Sequence, residues 1–236
     1  ELLSGHLTLA GCHIEAGSEG KWFCGGDAVK VAGGNSSSSS SSSSSPGILS
    51  ARNCTLRSHS YNGLCIYEGG KASVEHCTCS ANRRMGVVVD GKDSLCQLAH
   101  SHVDSNGDTN VHVTGQARAE LVKCTSNGSG AHGWKVGGKG SVLVAKLSEA
   151  NENSCHGAYA HRGSSLWLNC SQCCDNKLAG MYADYVGSTI HAAATTSKRN
   201  RMGNAMYAYG SVMCSNNQPC DLGGEAVSYS SVLGYR

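Results

Sequence analysis

The sequence predicts an all-β protein whose fold is a single-stranded right-handed parallel β-helix, a solenoid of about nine turns with a period of 23–24 residues. Three columns of residues share that period. The first precedes a short apolar strand in each turn and contains Gly63, Gly86, Asn110, Gly133, Gly157, Gly180 and Ala205. The second contains Cys54, Cys77, His100, Cys124, Leu147 and Cys170. The third contains asparagines near the end of each period: Asn82, Asn106, Asn127, Asn151 or Asn153, Asn176 and Asn200.

The content of each repeat favours a β-helix over other solenoids. Strand residues alternate with a period of two rather than about 3.6, which argues against helical repeats. A leucine-rich repeat needs leucines at fixed positions, and this chain does not supply them. In a β-helix every turn adds one strand to each sheet, and glycine provides the positive φ of sharp bends. Asparagine side chains in one column then bond to one another along the stack.

One domain is predicted for residues 1–236. Ala28, which starts an early strand, precedes Gly63 by 35 residues, and this is 12 more than one 23-residue period. The serine run Ser36–Ser45 accounts for most of the surplus, so a flexible Ser-rich loop insertion is expected at about 35–46. The N-terminus lacks an initiator Met and a signal-peptide pattern, and we expect the chain to be a fragment of a longer one.

The succession of strand, glycine, strand, cysteine and asparagine in each period resembles the right-handed β-helix repeat of the pectin-lyase-like superfamily. The resemblance covers nearly the whole chain. It implies the β-helix fold together with several classes of activity. The superfamily holds polysaccharide lyases and hydrolases, alginate epimerases, and non-catalytic modules of the carbohydrate-binding and sugar-hydrolase type.

Alternation along the first strand of each turn separates inward from outward residues. The inward pairs are apolar and are expected to form the core: Leu64/Ile66, Val87/Val89, Val111/Val113, Trp134/Val136, Ala158/Ala160, Met181/Ala183 and Met206/Ala208. The outward face is more polar, and in the resembled superfamily such a face often carries the substrate groove. Candidate ligand-binding residues on it are His112, Lys135, Tyr159, His161, Tyr182, Asp184 and Tyr207. We expect His161 and Asp184 on adjacent turns as a hydrogen-bonded pair.

No catalytic residue, metal site or cofactor is predicted. Asp90 and Asp184 fall in one column but four turns apart, about 19 Å along the axis, which is too far for joint action in hydrolysis. His132 and His156 lie in Ala-His-Gly and Cys-His-Gly triplets similar to the Gly-His-Gly of polygalacturonases. The companion motifs of those enzymes, and the Asp-Pro-His-Asp of alginate epimerases, are missing from the sequence.

The 14 cysteines are interpreted mainly as core residues rather than as disulfides. Stacked cysteines such as Cys54 and Cys77 present parallel Cβ vectors, a poor geometry for a disulfide. Buried thiols behave as small apolar groups, so we expect the cysteine column to face inward and stay reduced. A reducing intracellular or organellar compartment is therefore favoured over secretion. The redox state of four cysteines outside the column stays open: Cys173, Cys174, Cys214 and Cys220.

Charge and hydropathy narrow the classes of function. The 19 Lys and Arg residues nearly balance the 17 Asp and Glu residues, without the concentrated basic patch that nucleic-acid binding needs. No run of about 18 apolar residues is present, so no membrane span is predicted. The prediction is a non-catalytic scaffold or binding module of a larger assembly, with other protein subunits as partners. The alternative is a carbohydrate-binding or carbohydrate-active protein that holds a polysaccharide on the outward Tyr/His/Asp face.

Overall fold

A computed structural model describes residues 2, 4–16, 26–33, 45–58, 60–215, 220–223 and 228–229. Nearly all of the predicted Ser-rich insertion lies outside the described residues. In chain order the strands are β1 (Gly5–Ala10), β2 (His13–Ala16), β3 (Val29–Ala32), β4 (Gly47–Arg52), β5 (Thr55–Ser58), β6 (Leu64–Tyr67), β7 (Lys71–Glu75), β8 (Val87–Asp90), β9 (Leu95–Ala99), β10 (Val111–Val113), β11 (Arg118–Val122), β12 (Trp134–Gly137), β13 (Val142–Lys146), β14 (Ala158–His161), β15 (Ser165–Asn169), β16 (Ala179–Asp184), β17 (Thr189–Ala193), β18 (Gly203–Ala208), β19 (Ser211–Cys214) and β20 (Ser228–Tyr229).

Parallel pairing arranges these strands in three sheets that run along one axis. In the described residues the first sheet has nine strands, in the order β3, β6, β8, β10, β12, β14, β16, β18 and β20. The second sheet also has nine, in the order β1, β4, β7, β9, β11, β13, β15, β17 and β19. The third sheet starts with β2 and β5 and continues as one bridge per turn as far as Asp221. About seven turns are complete, and the arrangement confirms the predicted parallel β-helix.

The core is a narrow stack of inward side chains, as strand alternation predicts. The predicted first-sheet pairs of six consecutive turns are all fully buried, at 0% exposure: Leu64, Ile66, Val87, Val89, Val111, Val113, Trp134, Val136, Ala158, Ala160, Met181 and Ala183. Each stacks on its counterpart in the turns above and below, because the strands pair without a register shift. Burial of apolar area stabilises such a stack by about 25 cal/mol per Å².

The predicted register is wrong in the last turn of the first sheet. There β18 pairs with β16 so that Ala205 lies beside Met181, Met206 beside Tyr182 and Tyr207 beside Ala183. The inward pair of this strand is therefore not Met206/Ala208 as predicted. Both strands contain Met-Tyr-Ala, and matching those triplets moves the alignment by one residue. The first column consequently ends at Asn204, 24 residues after Gly180.

The predicted cysteine column combines two adjacent positions of the turn that follows the second sheet. One position faces inward and holds Cys54, Cys77, Ser101, Cys124, Ser148, Ser171 and Thr195. Here the side chains make hydrogen bonds between turns. The backbone N–H of Cys54 donates to Cys77 Sγ at 3.3 Å, and that of Cys77 donates to Ser101 Oγ at 3.1 Å. Small hydrogen-bonding side chains, thiol or hydroxyl, therefore share one structural role.

The other position of this turn is exposed and adopts a left-handed conformation. His100, Leu147 and Cys170, which the sequence places in the inward column, occupy it with φ of 50°, 51° and 49°. The prediction is wrong there because steps between turns alternate between 23 and 24 residues, so a constant step drifts by one position. The 13 cysteines that the structure describes are free thiols, with Cys173, Cys174, Cys214 and Cys220 among them.

The two kinds of buried cysteine predict opposite responses to serine. Cys77 Sγ accepts a backbone N–H and donates to Glu75 O at 3.2 Å, a role that a hydroxyl fills equally well. Cys96 is fully buried between Ala72 and Ala119, and burial raises the pKa of its thiol. We expect Cys77→Ser to change the free energy of unfolding by less than about 1 kcal/mol, and Cys96→Ser to lower it by about 1–3 kcal/mol. Urea denaturation of both variants checks this, and equal losses would contradict it.

The first and third columns interlock and set where each first-sheet strand begins. A Cβ on Gly86 would lie 2.6 Å from Asn106 Nδ2, and one on Gly180 would lie 2.5 Å from Asn200 Nδ2. The glycines therefore leave room for the asparagine carboxamides. The third column as the structure has it is Asn82, Asn106, Ser129, Asn153, Asn176 and Asn200. Of the predicted alternatives, Asn153 belongs to it, whereas Asn127 and Asn151 belong to a separate ladder with Asp104.

One turn exchanges the two residue types between the columns. Ser129 stands where the third column otherwise has asparagine, and Asn110 stands where the first column otherwise has glycine. Asn110 Oδ1 accepts from Asn106 Nδ2 at 2.7 Å, and Asn110 Nδ2 donates to Asn127 O at 3.0 Å. The carboxamide thus reaches the same space from the opposite column, and the ladder of buried amides continues without a gap.

Candidate functional site

Six of the seven predicted ligand-binding residues lie on one outward face of the first sheet. His112, Lys135, Tyr159 and Tyr182 are direct neighbours in consecutive strands from β10 to β16. His161 and Asp184 are neighbours in the next outward column, which confirms their predicted adjacency. Tyr207 is placed differently: it pairs with Ala183 of the inward column and packs against the core. The register shift in β18 is the reason, and it puts Met206 beside Tyr182 instead.

Five rings on this face stack into a continuous surface, which we call the ring ladder: His132, His156, Tyr159, His161 and Tyr182. The two tyrosine rings stack at 5.7 Å with an interplanar angle of 8°. His132 lies 4.8 Å from Tyr159, and His156 lies 4.8 Å from Tyr182. The sequence interpretation assigned no role to the two turn histidines. The available signal was their shared position, one residue before the strand-start glycine in consecutive turns, which brings the rings within 5.3 Å.

The ring faces of the ladder are largely covered by other rings. Tyr159 stacks on Tyr182 on the adjacent strand, and His161 stacks on Tyr159 at 5.0 Å and 7°. His132 adds a further contact with Tyr159 at 27°. Ring edges and hydroxyl groups therefore remain for a ligand, while the faces stabilise the ladder itself. Stacked rings of this kind contribute about 0.5–1.5 kcal/mol per pair beyond their buried area.

Burial keeps the histidines of this face neutral at pH 7. It lowers the pKa of His112 to about 4, of His132 to about 3 and of His156 to about 4. The ammonium group of Lys135 lowers the pKa of His112 and of His132 further. Burial likewise lowers the pKa of His161. For Tyr159, burial and then the charge of Asp184 raise the pKa to about 12.

The predicted hydrogen bond between His161 and Asp184 does not form. His161 Nε2 is buried over Gly137 and has no hydrogen-bond partner among the residues that the structure describes. The Asp184 carboxylate instead accepts the Tyr159 hydroxyl at 3.5 Å and the Tyr185 backbone N–H at 2.8 Å. Glycine at position 137 provides the space into which the imidazole turns away from the carboxylate.

Exposed apolar side chains continue the surface beyond the ring ladder. Tyr185, Val186 and Tyr209, which we call the turn patch, are exposed by 51%, 81% and 63%. Tyr209 joins Asp184 through an antiparallel bridge, and the charge of Tyr185 reaches the Tyr159 hydroxyl. The ring ladder and the turn patch therefore form one contiguous surface, with Asp184 between them.

Acidic side chains on this face are widely spaced. Asp90 and Asp184 occupy the same outward column four strands apart, about 19 Å along the axis. Within the described part of the chain, no group of three or more His, Cys, Asp or Glu side chains has an arrangement that could hold a metal ion. The described residues also contain no helix long and apolar enough for a membrane crossing.

A second surface was missed by sequence reasoning because only the first sheet was searched for ligand contacts. On the outward face of the second sheet, the Trp167 ring stacks on His191 at 3.8 Å and 6°. Trp167 is 47% exposed and borders a groove of about 730 Å³. The signal available in the sequence was the step of 24 residues between Trp167 and His191, one full turn.

Comparisons with solved structures find two similar chains of low identity. The pectate lyase Pel9A is 14% identical with a TM-score of 0.49, over 79% of this chain and 56% of the lyase. This chain therefore spans little more than half the length of that enzyme. The A-module of mannuronan C-5 epimerase AlgE4 from Azotobacter vinelandii is 11% identical with a TM-score of 0.26, over 97% of this chain and 91% of the module.

Comparison at the level of sequence families gives a more direct assignment. No curated protein matches the chain. A family model described as a right-handed β-helix region matches residues 36–197. This match covers more than half of the 236 residues and includes strands β4 to β17. The chain therefore belongs to the right-handed β-helix family.

Proposed function

We propose that this chain is a non-catalytic β-helix module that binds a protein partner through the ring ladder and the turn patch. The observation that carries the proposal is the contiguous exposed apolar surface of Tyr185, Val186 and Tyr209 beside the rigid ladder. Soluble proteins rarely expose contiguous apolar patches unless the patch serves an interaction. Tyrosine is enriched at the centre of protein interfaces because its ring is apolar and its hydroxyl is polar.

The chemistry of the face supports binding rather than catalysis. General acid–base catalysis at neutral pH needs a group whose pKa lies near 7. Burial lowers the pKa of His112 and of His156 to about 4, far from that range. The two carboxylates of the outward column, Asp90 and Asp184, lie about 19 Å apart. Glycoside hydrolysis requires a separation of about 5–10 Å.

Rigidity of the ladder also favours a docking role. Its rings contact one another along the axis, so little side-chain freedom is lost when a partner covers them. Lys135 and Asp184 add one positive and one negative charge to the same face, and these charges select the orientation of a partner.

Substitution of Val186 tests the proposal. Val186→Asp places a charge at the centre of the turn patch, and because the side chain is 81% exposed we expect stability to change by less than about 0.5 kcal/mol. Affinity purification of the tagged chain from its source cells, with quantitative mass spectrometry, should show at least a tenfold loss of a partner that the parent retains.

Leu147→Asp is the matched control for this experiment. Leu147 is 54% exposed and lies in the turn after the second sheet, away from the ring ladder. The control variant should retain the partner at the parent level. An unchanged set of bound proteins in Val186→Asp, or an equal loss in Leu147→Asp, would contradict protein docking at the turn patch.

A polysaccharide is the second candidate ligand of this face. One observation favours it: ring edges and hydroxyl groups of Tyr159 and Tyr182 recur at the strand spacing of about 4.8 Å, close to the length of one sugar unit. A glycan array separates this alternative from protein docking. If the ligand is a polysaccharide, the parent should bind a defined glycan and Tyr182→Ala should abolish the signal. No glycan binding by the parent would remove this candidate.

A further inference from the structure

The aromatic groove on the second sheet is built on one outward column of side chains. Glu120, Val144, Trp167, His191 and Met213 are direct neighbours in β11, β13, β15, β17 and β19. The groove has a volume of about 730 Å³ and includes Val144, Trp167, His191 and Met213 in its lining. Pockets for small molecules span about 300–1,000 Å³ and combine apolar walls with a few polar groups.

Trp167 has one covered ring face and one that borders the groove. His191 stacks on the first at 3.8 Å with nearly parallel planes. The opposite side belongs to the neighbouring strand, where Val144 is in register with Trp167. Among the described residues, no ring stacks on that side. Valine is too short to fill the height of the indole, so a space one strand wide remains above it.

The far wall and the end of this space carry positive charge. Arg118 lies on β11, the strand beyond Val144, and its Nε donates to Glu120 Oε1 at 2.8 Å. That carboxylate is thus already paired. Lys146, two residues after Val144 on the same outward face, borders the groove and forms no ion pair within the described residues. The groove therefore offers a ring face, a guanidinium group and an uncompensated ammonium group.

We propose that this groove binds a small planar aromatic carboxylate, whose ring enters above Val144 between Trp167 and Arg118 and whose carboxylate contacts Lys146. A planar ring gains stacking from the indole on one side and a cation–π contact from the guanidinium group on the other. A saturated ring does not gain the second contact, and a neutral ring leaves Lys146 without a counter-charge. The proposal is independent of protein docking on the first sheet.

Isothermal titration calorimetry with 2-naphthoate tests the assignment. The parent chain should bind the acid in a saturable reaction with one site, and should bind 2-naphthalenemethanol, its neutral analogue, at least tenfold more weakly. Trp167→Ala should weaken binding of the acid at least tenfold because the stacking face is lost. Val144→Phe should do the same because the new ring occupies the space. Lys146→Met should abolish the preference for the acid over the alcohol.

Two controls make the test specific to the groove. Leu147→Asp and Val186→Asp are exposed and lie outside the groove lining, so both should bind 2-naphthoate like the parent. Should Trp167→Ala fail to fold, Val144→Phe and Lys146→Met still decide the outcome. Absence of saturable binding to the parent, unchanged binding to Val144→Phe, or equal affinity for acid and alcohol would overturn the proposal. These results bear on the second sheet alone, whereas partner loss in Val186→Asp bears on the first.

Discussion

Lowering the pH from 6.5 to 4.5 is expected to destabilise the protein by several kcal/mol, because three histidines of the first-sheet face resist protonation in the folded state. Their pKa values fall from 6.5 to about 4 for His112, about 3 for His132 and about 4 for His156, with burial as the main cause. The His132 and His156 rings stack at 5.3 Å, so charging one also disfavours charging the other.

The direction of the effect follows from proton uptake. Below pH 6.5 the unfolded chain binds protons at these histidines, whereas the folded chain does not until the pH approaches the lowered pKa values. The stability that the neutral rings allow is therefore complete above pH 6.5 and is lost as the pH falls toward 4. Each histidine contributes at most about 1.4 kcal/mol per pH unit in this window.

Urea denaturation at pH values from 7.5 to 4.5 measures the effect. His132→Asn should reduce the dependence of the unfolding free energy on pH, because one of the three titrating groups is removed. His102→Asn is the control, since His102 is exposed and lies on the third sheet. The carboxylates with lowered pKa, such as Asp175 and Asp221, have ordinary values near 3.8 and titrate below the window. Stability that is flat across it, or an equal effect of His102→Asn, would contradict the burial of neutral histidines.

The fold and most of the first-sheet face were predictable because period-two alternation and turn length are properties of the chain itself. Side chains of Val87 and Val89 must lie on the same side of their strand, and a turn of constant length stacks them on Val111 and Val113. The same two facts place Lys135, Tyr159 and Tyr182 in one outward column. No partner or long-range contact is needed for these assignments.

Single-residue errors arose where local patterns conflict with the hydrogen-bond ladder. Met181-Tyr182-Ala183 and Met206-Tyr207-Ala208 are identical triplets, but Asn200 Nδ2 donates to Asn204 Oδ1 at 2.9 Å and fixes the register one residue away. The inward turn position likewise accepts thiol or hydroxyl groups, so following cysteine alone leads to exposed neighbours. Chemical equivalence between Cys, Ser and Thr in a hydrogen-bonding position is invisible when one residue type is counted.

The missing parts of the candidate sites depend on contacts between turns. The ring ladder includes His132 and His156, which lie outside the strands and meet the tyrosines only after the chain has wound once around the axis. The groove depends on the size of Val144 relative to Trp167 in the adjacent strand. Neither arrangement follows from alternation within one strand, because each requires the register of two turns to be known.

A second large effect is expected when the exchanged columns are altered at Asn110. Asn110→Gly removes hydrogen bonds to the Asn106 N–H at 3.3 Å, to Asn106 Nδ2 at 2.7 Å and from Asn110 Nδ2 to Asn127 O. Buried donors left without partners, together with the vacated space, should lower the free energy of unfolding by about 3–5 kcal/mol. Ser129→Asn alone should lower it by about 1–3 kcal/mol, because a second carboxamide enters the space that Asn110 fills.

Combining the two substitutions should restore the arrangement of the other turns. Asn110→Gly with Ser129→Asn rebuilds the pair seen at Gly133 and Asn153, where a Cβ on the glycine would lie 2.7 Å from the asparagine Nδ2. Each single variant lacks one half of the pair, whereas the double variant has both. The energies of the two substitutions are therefore expected to be strongly non-additive.

The double-mutant cycle at positions 110 and 129 tests the central claim most directly, since every inward and outward assignment rests on stacking of these columns in register. Equilibrium urea denaturation of the parent, both single variants and the double variant measures the coupling. The double variant should be more stable than the sum of the two single losses predicts by at least about 2 kcal/mol. Losses that add to within about 0.5 kcal/mol would show that the two side chains do not share one space, and would contradict the register from which both binding surfaces are derived.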